Sequence, residues 1–376
     1  MLTRDDVALM AERAMLGALL VEPSPFRELD GWVRGTDFTE PWHRQVWVAM
    51  REGHGAGCSM DTVSLGTRML ERHGPRIADL PRLHQLLHDA PDNPDPRPHA
   101  RVVVESGVRR DIDGQGILLR ATALEASMSR EGRPLRSALR IAGAAVLIAC
   151  ERWADANGQV TDNLTAQIPA RLRAGADDLE LRRAADKFVA DYPGIDPAQV
   201  GRNEQRLVAC LATHPTAISP TVAWMRPDQL TNRPWAAVYS ALAQLAAGGH
   251  SIDRSTLALA TAQVARATGT GPELDALIDG IEGERASVPG HLRQVVAGDH
   301  LRLAAAQGTA ALHEGATSLD VPVVDLLQTA TALLHRMQHL STALPDQIDV
   351  GPSGRRGAWQ IDPPTAGPMS EGPAAG

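Results

Sequence analysis

Residues 12–20 read ERAMLGALL and residues 204–212 read EQRLVACLA, so a glutamate precedes the same apolar pattern twice in one chain. The apolar residues of the two stretches that recur at the spacing of one helical face are Met15, Leu16, Leu19 and Leu20, then Leu207, Val208 and Leu211. Each stretch therefore predicts a helix with one buried stripe. We call the surrounding repeats the first copy and the second copy.

Identity at this constant spacing continues far beyond the two stretches. The repeat-matched residues that anchor it are Glu12/Glu204, Trp32/Trp224, Asp61/Asp253 and His99/His291. Ser59 or Asp61 can serve as the N-cap of a helix after a glycine-containing turn, and Ser251 and Asp253 repeat this pattern. The two tryptophans lie among apolar residues and predict core packing, and the two histidines at a helix start predict a capping or packing role. A constant spacing over such a length indicates a tandem duplication.

Long helical patterns close each copy. In the first copy the pattern runs from His99 to about Ser129, breaks at Gly132-Arg133-Pro134 and resumes to about Ala154. The second copy repeats this with a break near 317–322, so each copy predicts a helical hairpin. We expect an all-α chain with two domains at 8–155 and 201–340, each a small helical head plus a hairpin. Residues 156–200 predict a partly helical linker, and residues 341–376, rich in proline and glycine, predict a disordered tail.

Composition restricts the classes of function. The chain has 376 residues and a formal net charge of −8, which argues against a simple nucleic-acid-coating protein. Its single lysine, Lys187, has no glycine beside it, so these residues contain no P-loop. Three scattered cysteines show no disulfide framework, and no long apolar run or signal sequence is present, so we expect a cytoplasmic protein without a membrane span.

Four ordered blocks of the first copy resemble a known family. Residues 12–20 look like the opening helix of the N-terminal domain of DnaB-type replicative helicases. Phe38 with Trp42-His43-Arg44-Gln45-Val46 resembles the family's second block, and Ser59-Met60-Asp61 resembles its third. His99 and the residues after it are similar to the start of the family's long hairpin. The second copy matches less well, since Trp235 replaces His43.

The resemblance implies a non-catalytic collar domain that pairs through its hairpins and contacts primase, a helicase loader or the helicase. A complete helicase continues into a RecA-like ATPase, whereas here a second collar-like copy follows. We therefore expect a helicase-like chain without its motor and not an enzyme. Hairpin pairing within one chain or a homo-oligomer both fit this expectation.

Arginines cluster around the first hairpin turn and form a candidate interaction patch. Its members are Arg109, Arg110, Arg130, Arg133, Arg136 and Arg140. Arginine forks suit phosphates as well as acidic protein partners, although a charge run also suits a solvated helix face. We find no Ser/His/Asp arrangement, paired-carboxylate motif or Gly-rich dinucleotide fingerprint, and we therefore predict no catalytic or cofactor site. The histidine pairs of the first copy have no counterpart in the second, so we predict no metal site either.

The leading hypothesis is a replication-associated interaction protein that contacts primase, a loader or a helicase. A DNA-binding accessory or regulatory protein that uses the arginines is an alternative. A split helicase subunit whose ATPase is supplied in trans is another.

Overall fold

The computed structural model describes residues 2–159, 164–192, 194–284 and 286–346, and these ranges are all-helical with no β-strand. The all-α prediction is therefore confirmed. The helices of the first copy are α1 (Arg4–Val21), α2 (Phe26–Leu29), α3 (Pro41–Gly55), α4 (Thr62–His73), α5 (Leu80–His88), α6 (Arg97–Ser129) and α7 (Arg133–Ala156). The helices of the linker are α8 (Ala170–Ala176) and α9 (Leu179–Ala190). The helices of the second copy are α10 (Pro197–Thr213), α11 (Ile218–Trp224), α12 (Arg233–Ala247), α13 (Arg254–Thr268), α14 (Leu274–Gly283), α15 (Pro289–Thr317) and α16 (Val323–Ser341).

The order of elements repeats: a long first helix, a short helix and a 3₁₀ turn lead to three head helices and a hairpin in each copy. Local sequence explains where the head helices begin. Asp61 accepts hydrogen bonds from the backbone N–H groups of Val63 and Ser64, both at 2.9 Å. Asp253 does the same for Ser255 and Thr256. Both N-caps were expected from the sequence, and both are confirmed.

The chain forms two compact units, and each contains residues of both hairpins. The first unit comprises Met1–Gly116, Ala142–Asp177 and Ala310–Thr331, and the second unit comprises Ile117–Ile141, Asp178–Thr309 and Ala332–Gly376. The turn of the second hairpin thus belongs to the first unit, and the turn of the first hairpin belongs to the second unit. These units differ from the predicted domains at 8–155 and 201–340, because a sequence repeat shows which residues correspond and not which residues pack together.

Both cores are built from the repeated apolar stripes. Leu16 and Leu19 are fully buried in the first unit, and Val208 and Leu211 are fully buried in the second. The repeated tryptophans also lie in the cores, with Trp32 9% and Trp224 7% exposed. Their predicted packing role is confirmed.

The prediction that residues 341–376 form a disordered tail is wrong for residues 341–346. Residue 341 ends α16, and Ala343 and Leu344 are buried in the second unit, so 341–346 belong to the packed structure. The rest of the tail lies outside the described residues. Within the part of the chain that is described, no helix is long and apolar enough to span a bilayer.

A substitution at Gly17 tests the packing of α1 against α5. A Cβ at Gly17 would lie 2.2 Å from the carbonyl oxygen of Leu86, which is backbone and has little room to move. Gly17→Ala should therefore lower the free energy of unfolding by about 2 kcal/mol, as overpacked helices do. Urea denaturation followed by circular dichroism measures this.

The matched control is Gly143→Ala in α7, where a Cβ would meet no atom within 4 Å. Since alanine favours a helix over glycine, this variant should be as stable as the wild type or more stable by up to about 1 kcal/mol. Equal stability of the two variants would contradict the close approach of α1 and α5.

Candidate functional site

The turn of the second hairpin is held in the first unit by the buried guanidinium of Arg109 on α6. Arg109 donates to the carbonyl oxygens of Gly315 at 2.7 Å and Val321 at 2.5 Å. The last carbonyls of a helix have no partner within the helix, so Arg109 satisfies one at the end of α15. Glu105, one turn earlier on α6, accepts from Arg109 Nε at 3.0 Å and holds the guanidinium in place. Arg109 is only 2% exposed.

A second arginine binds the same turn from the start of the chain. Arg4 on α1 donates to the carbonyl oxygen of Ser318 through Nε at 2.9 Å and Nη2 at 2.6 Å. Its Nη1 is 2.8 Å from Glu105 Oε1, so Glu105 orients Arg4 as well as Arg109. Two forked cations therefore fix three backbone carbonyls in the first unit.

In the second unit the turn of the first hairpin is bound by the end of α16. The Gly132 N–H donates to the carbonyl oxygen of Pro345 at 2.8 Å. Arg136 donates to the carbonyl oxygen of Ser341 at 3.0 Å and pairs with Asp346. These contacts explain why residues after 341 are packed.

The structure does not gather the six predicted arginines into one patch. Arg109 and Arg110 belong to the first unit, whereas 130–140 belong to the second. Arg110 donates to Thr39 Oγ1 at 2.6 Å and to Ser106 Oγ at 2.7 Å. Since Arg109, Arg110 and Arg136 bind other parts of this chain, the single-patch prediction needs correction. Their hydrogen bonds within the chain, which a charge run does not reveal, remove them from the patch.

The remaining predicted arginines differ in their surroundings. Arg133 and Arg140 are exposed on α7, and no partner for either is seen among the described residues. Arg130 has a φ of +60° at the hairpin turn, and its Nη1 lies 3.3 Å from Nδ1 of His291. His291 is exposed and His99 is half-buried, so neither occupies the core.

A fully buried glutamate fixes the head of the first copy. Glu12 accepts from the backbone N–H groups of Thr39 at 2.5 Å and Glu40 at 3.3 Å, just before α3. Its other contact is His43 Nδ1 at 2.7 Å. The carboxylate thus joins α1 to the start of α3, and it is satisfied by three donors.

The second copy solves the same problem with a histidine from another helix. Glu204 accepts from the N–H groups of Thr231 at 2.9 Å and Asn232 at 2.7 Å. Its histidine partner is His300 Nε2 at 2.7 Å, on α15, while Trp235 stands where the first copy has His43. Burial alone would raise the pKa of Glu204, but the bonds from His300 and the two backbone N–H groups outweigh it and lower the pKa.

One buried ion pair was not expected from the sequence. Arg152 on α7 binds Asp37, which is fully buried beside the 3₁₀ turn before α3. A Cβ at residue 107 would collide with the Asp37 carboxylate, so Gly107 makes room for the pair. The second copy has Gln229 in place of Asp37, and the repeat therefore gave no signal for it.

In the described ranges, no group of three or more His, Cys, Asp or Glu side chains is arranged to hold a metal ion.

Arg109→Met tests how the hairpin turn is held. The change leaves the Gly315 and Val321 carbonyls without their donor, so the free energy of unfolding should fall by about 3 kcal/mol. The exposed Arg140→Met is the matched control and should change it by less than about 0.5 kcal/mol. Urea denaturation measures both, and equal effects would show that Arg109 does not hold the turn.

Glu204→Gln tests the buried carboxylate. A carboxyl with a lowered pKa in the folded chain adds stability above its ordinary pKa, here 4.5, and this stability is lost as the pH falls further. The unfolding free energy of the wild type should therefore fall more steeply in acid than that of Glu204→Gln. The exposed Glu314→Gln should keep the wild-type dependence. An unchanged slope in Glu204→Gln would contradict an ionised Glu204 carboxylate in the folded chain.

The similarity of this chain to a known protein family lies in the first copy. The family model described as "DnaB-like helicase N terminal domain" matches residues 5–105, which hold α1 to α5 and the start of α6. The replicative DNA helicase DnaB of Mycobacterium leprae is 30% identical over 106 residues, which are 28% of this chain and 17% of that helicase. This chain thus matches only a small part of that helicase's length.

Among solved structures, the crystal structure of the N-terminal domain of DnaB helicase from Mycobacterium tuberculosis aligns with 49% of this chain and 96% of its own, at 22% identity and a TM-score of 0.26. The resemblance expected from residues 12–20, 38–46 and 59–61 is confirmed by the family match at 5–105. Residues 5–105 are therefore similar to the N-terminal domain of DnaB-type helicases.

Proposed function

We propose that this chain is a non-catalytic interaction protein of DNA replication, built from two tandem collar-like domains. It would bind primase, a helicase loader or the collar of the host helicase. The family match at residues 5–105 supports the link to replication. The observation that carries the proposal is the exchange of hairpin turns, which places residues 117–141 in the second unit and residues 310–331 in the first.

The contacts in the first unit favour pairing of the two copies within one chain. Arg109 supplies the donors, and the Gly315 and Val321 carbonyls of the second copy accept them. The residue that matches Arg109 in the second copy is the buried Leu301, which has no donor to offer. The contact therefore runs from the first copy to the second and has no reciprocal at Leu301. Covalent linkage also gives the two hairpins a high effective concentration for each other.

A chain whose two hairpins already pair with each other is better suited to binding a partner than to ATP-driven unwinding of DNA. These residues contain no P-loop, because their single lysine, Lys187, has no glycine beside it. We therefore expect no ATP hydrolysis by this chain alone. In this proposal the chain presents a collar-like surface to replication proteins without the ring that would unwind DNA.

The test is affinity purification of the tagged full chain from its source cell after mild crosslinking. We expect a primase, a loader or a replicative helicase among the proteins recovered above background. Arg109→Met, which loosens the hairpin turn, should reduce this recovery several-fold. The exposed Arg140→Met should leave it unchanged.

Recovery of no replication protein above background would contradict the proposal. DNA binding is the main alternative, since Arg133 and Arg140 remain exposed on α7. Salt-dependent binding of an oligonucleotide that weakens in Arg133→Ala/Arg140→Ala would favour that alternative.

A further inference from the structure

A polar recess opens in the head of the first copy, between α1, α3 and α5. It has a volume of about 300 Å³ and is lined by Arg13, Trp42, His43, Arg82, Gln85, Leu86 and Asp89. This volume is at the lower end of those that hold small ligands or peptide side chains. Arg82, Gln85 and Leu86 of α5 and its C-cap residue Asp89 share one helical face, because the last three lie three, four and seven positions after Arg82.

The recess combines an aromatic wall with cations. The guanidinium of Arg82 lies 4.3 Å from the centroid of the Trp42 ring, within the range of a cation–π contact. The indole N–H of Trp42 donates to the carbonyl oxygen of Ile77 at 2.9 Å, which fixes the ring. Arg82 also lies 3.3 Å from Glu40, and Arg13 is exposed on the α1 side.

The acidic member of the lining is already engaged. Asp89 accepts from Gln85 Nε2 at 2.9 Å, one turn away on α5. His43 is bound to Glu12 through Nδ1, so its remaining edge faces the recess. Arg13 has no partner among the described residues, and it is the cation most available to a ligand.

The second copy shows that the fold does not require the polar side chains of this lining. There Trp235 stands in place of His43, and a Cβ at Gly280 of α14 would lie 2.8 Å from its ring. At the constant spacing of the repeat, Gln205 and Leu274 stand in place of Arg13 and Arg82. The second copy therefore folds without the two arginines of the recess.

We propose that this recess binds a carboxylate next to an apolar side chain, in a peptide segment of a protein partner. Arg13 and Arg82 would receive the carboxylate, and Trp42 with Leu86 would pack against the apolar group. Asp89 lines the recess and Glu40 pairs with Arg82, so their negative charges favour a singly charged carboxylate over a phosphate dianion. The inference deepens the proposed function, on which it rests, because it assigns partner contact to named residues.

The test uses a displayed library of random peptides with free carboxyl ends. Peptides that bind the full chain are selected from it. We expect the selected peptides to carry a carboxylate beside an apolar residue. Arg13→Ala/Arg82→Ala should weaken their binding about tenfold or more, because charge-assisted hydrogen bonds are lost. Both side chains are exposed enough to leave the fold intact, and circular dichroism checks this.

The matched control is Arg51→Ala, which removes an exposed arginine of α3 outside the recess. It should bind the selected peptides like the wild type. Equal binding by the double variant would overturn the inference. Unchanged binding of the selected peptides after their carboxyl ends are amidated and their Asp and Glu residues are replaced by Asn and Gln would also overturn it. Recovery of replication proteins from the cell that does not change in the double variant would overturn it too, while leaving the proposed function standing. Peptide binding at the recess together with recovery of no replication protein would support the recess as a binding site and contradict the proposed function.

Discussion

The arrangement of this chain depends on a guanidinium that one copy supplies and backbone carbonyls that the other copy leaves open. A helix must end with carbonyls that have no partner inside it. At the end of α15 the carbonyl of Gly315 receives Arg109, and after α16 the carbonyls of Leu344 and Pro345 face Arg136. The first copy thus donates at both ends of the second hairpin. Because buried carbonyls without donors are costly, each unit is complete only when the other hairpin's turn is present.

The buried glutamates show how a fixed requirement can be met by different residues. In both copies the carboxylate binds the two backbone N–H groups that precede the second long helix of the head. Two N–H donors leave acceptor capacity on a carboxylate, and in both copies a histidine fills it. The histidine comes from α3 as His43 in one case and from α15 as His300 in the other. Both copies keep a charge-assisted bond between a histidine and the buried carboxylate, but the histidine comes from different positions of the repeat. A comparison of matched positions alone would therefore suggest that the second copy lacks the partner that His43 provides.

Helices and caps could be predicted from the sequence because they depend on neighbours in the chain. The spacing of Leu16 and Leu19, the position of Pro41 at the start of α3 and the N-cap Asp61 all act over one or two turns. The exchange of hairpin turns and the Asp37–Arg152 pair act between residues far apart in sequence. No local pattern signals such pairs. The arginine run around the hairpin turn was visible, but only packing shows that Arg109 lies inside and Arg133 outside.

The two copies differ in which matched positions carry polar groups. Where the first copy has Arg109 and His43, the second has the apolar Leu301 and Trp235, and both of these are buried. Where the first copy has the buried Val108, the second has His300, which binds Glu204. A buried polar group is tolerated when it has a partner, and each of these groups has one, because Arg109 binds the turn of the second hairpin and the two histidines each bind a glutamate. The duplication therefore keeps the buried carboxylate and changes the helix that supplies its partner, while the donor for the hairpin turn comes from the first copy.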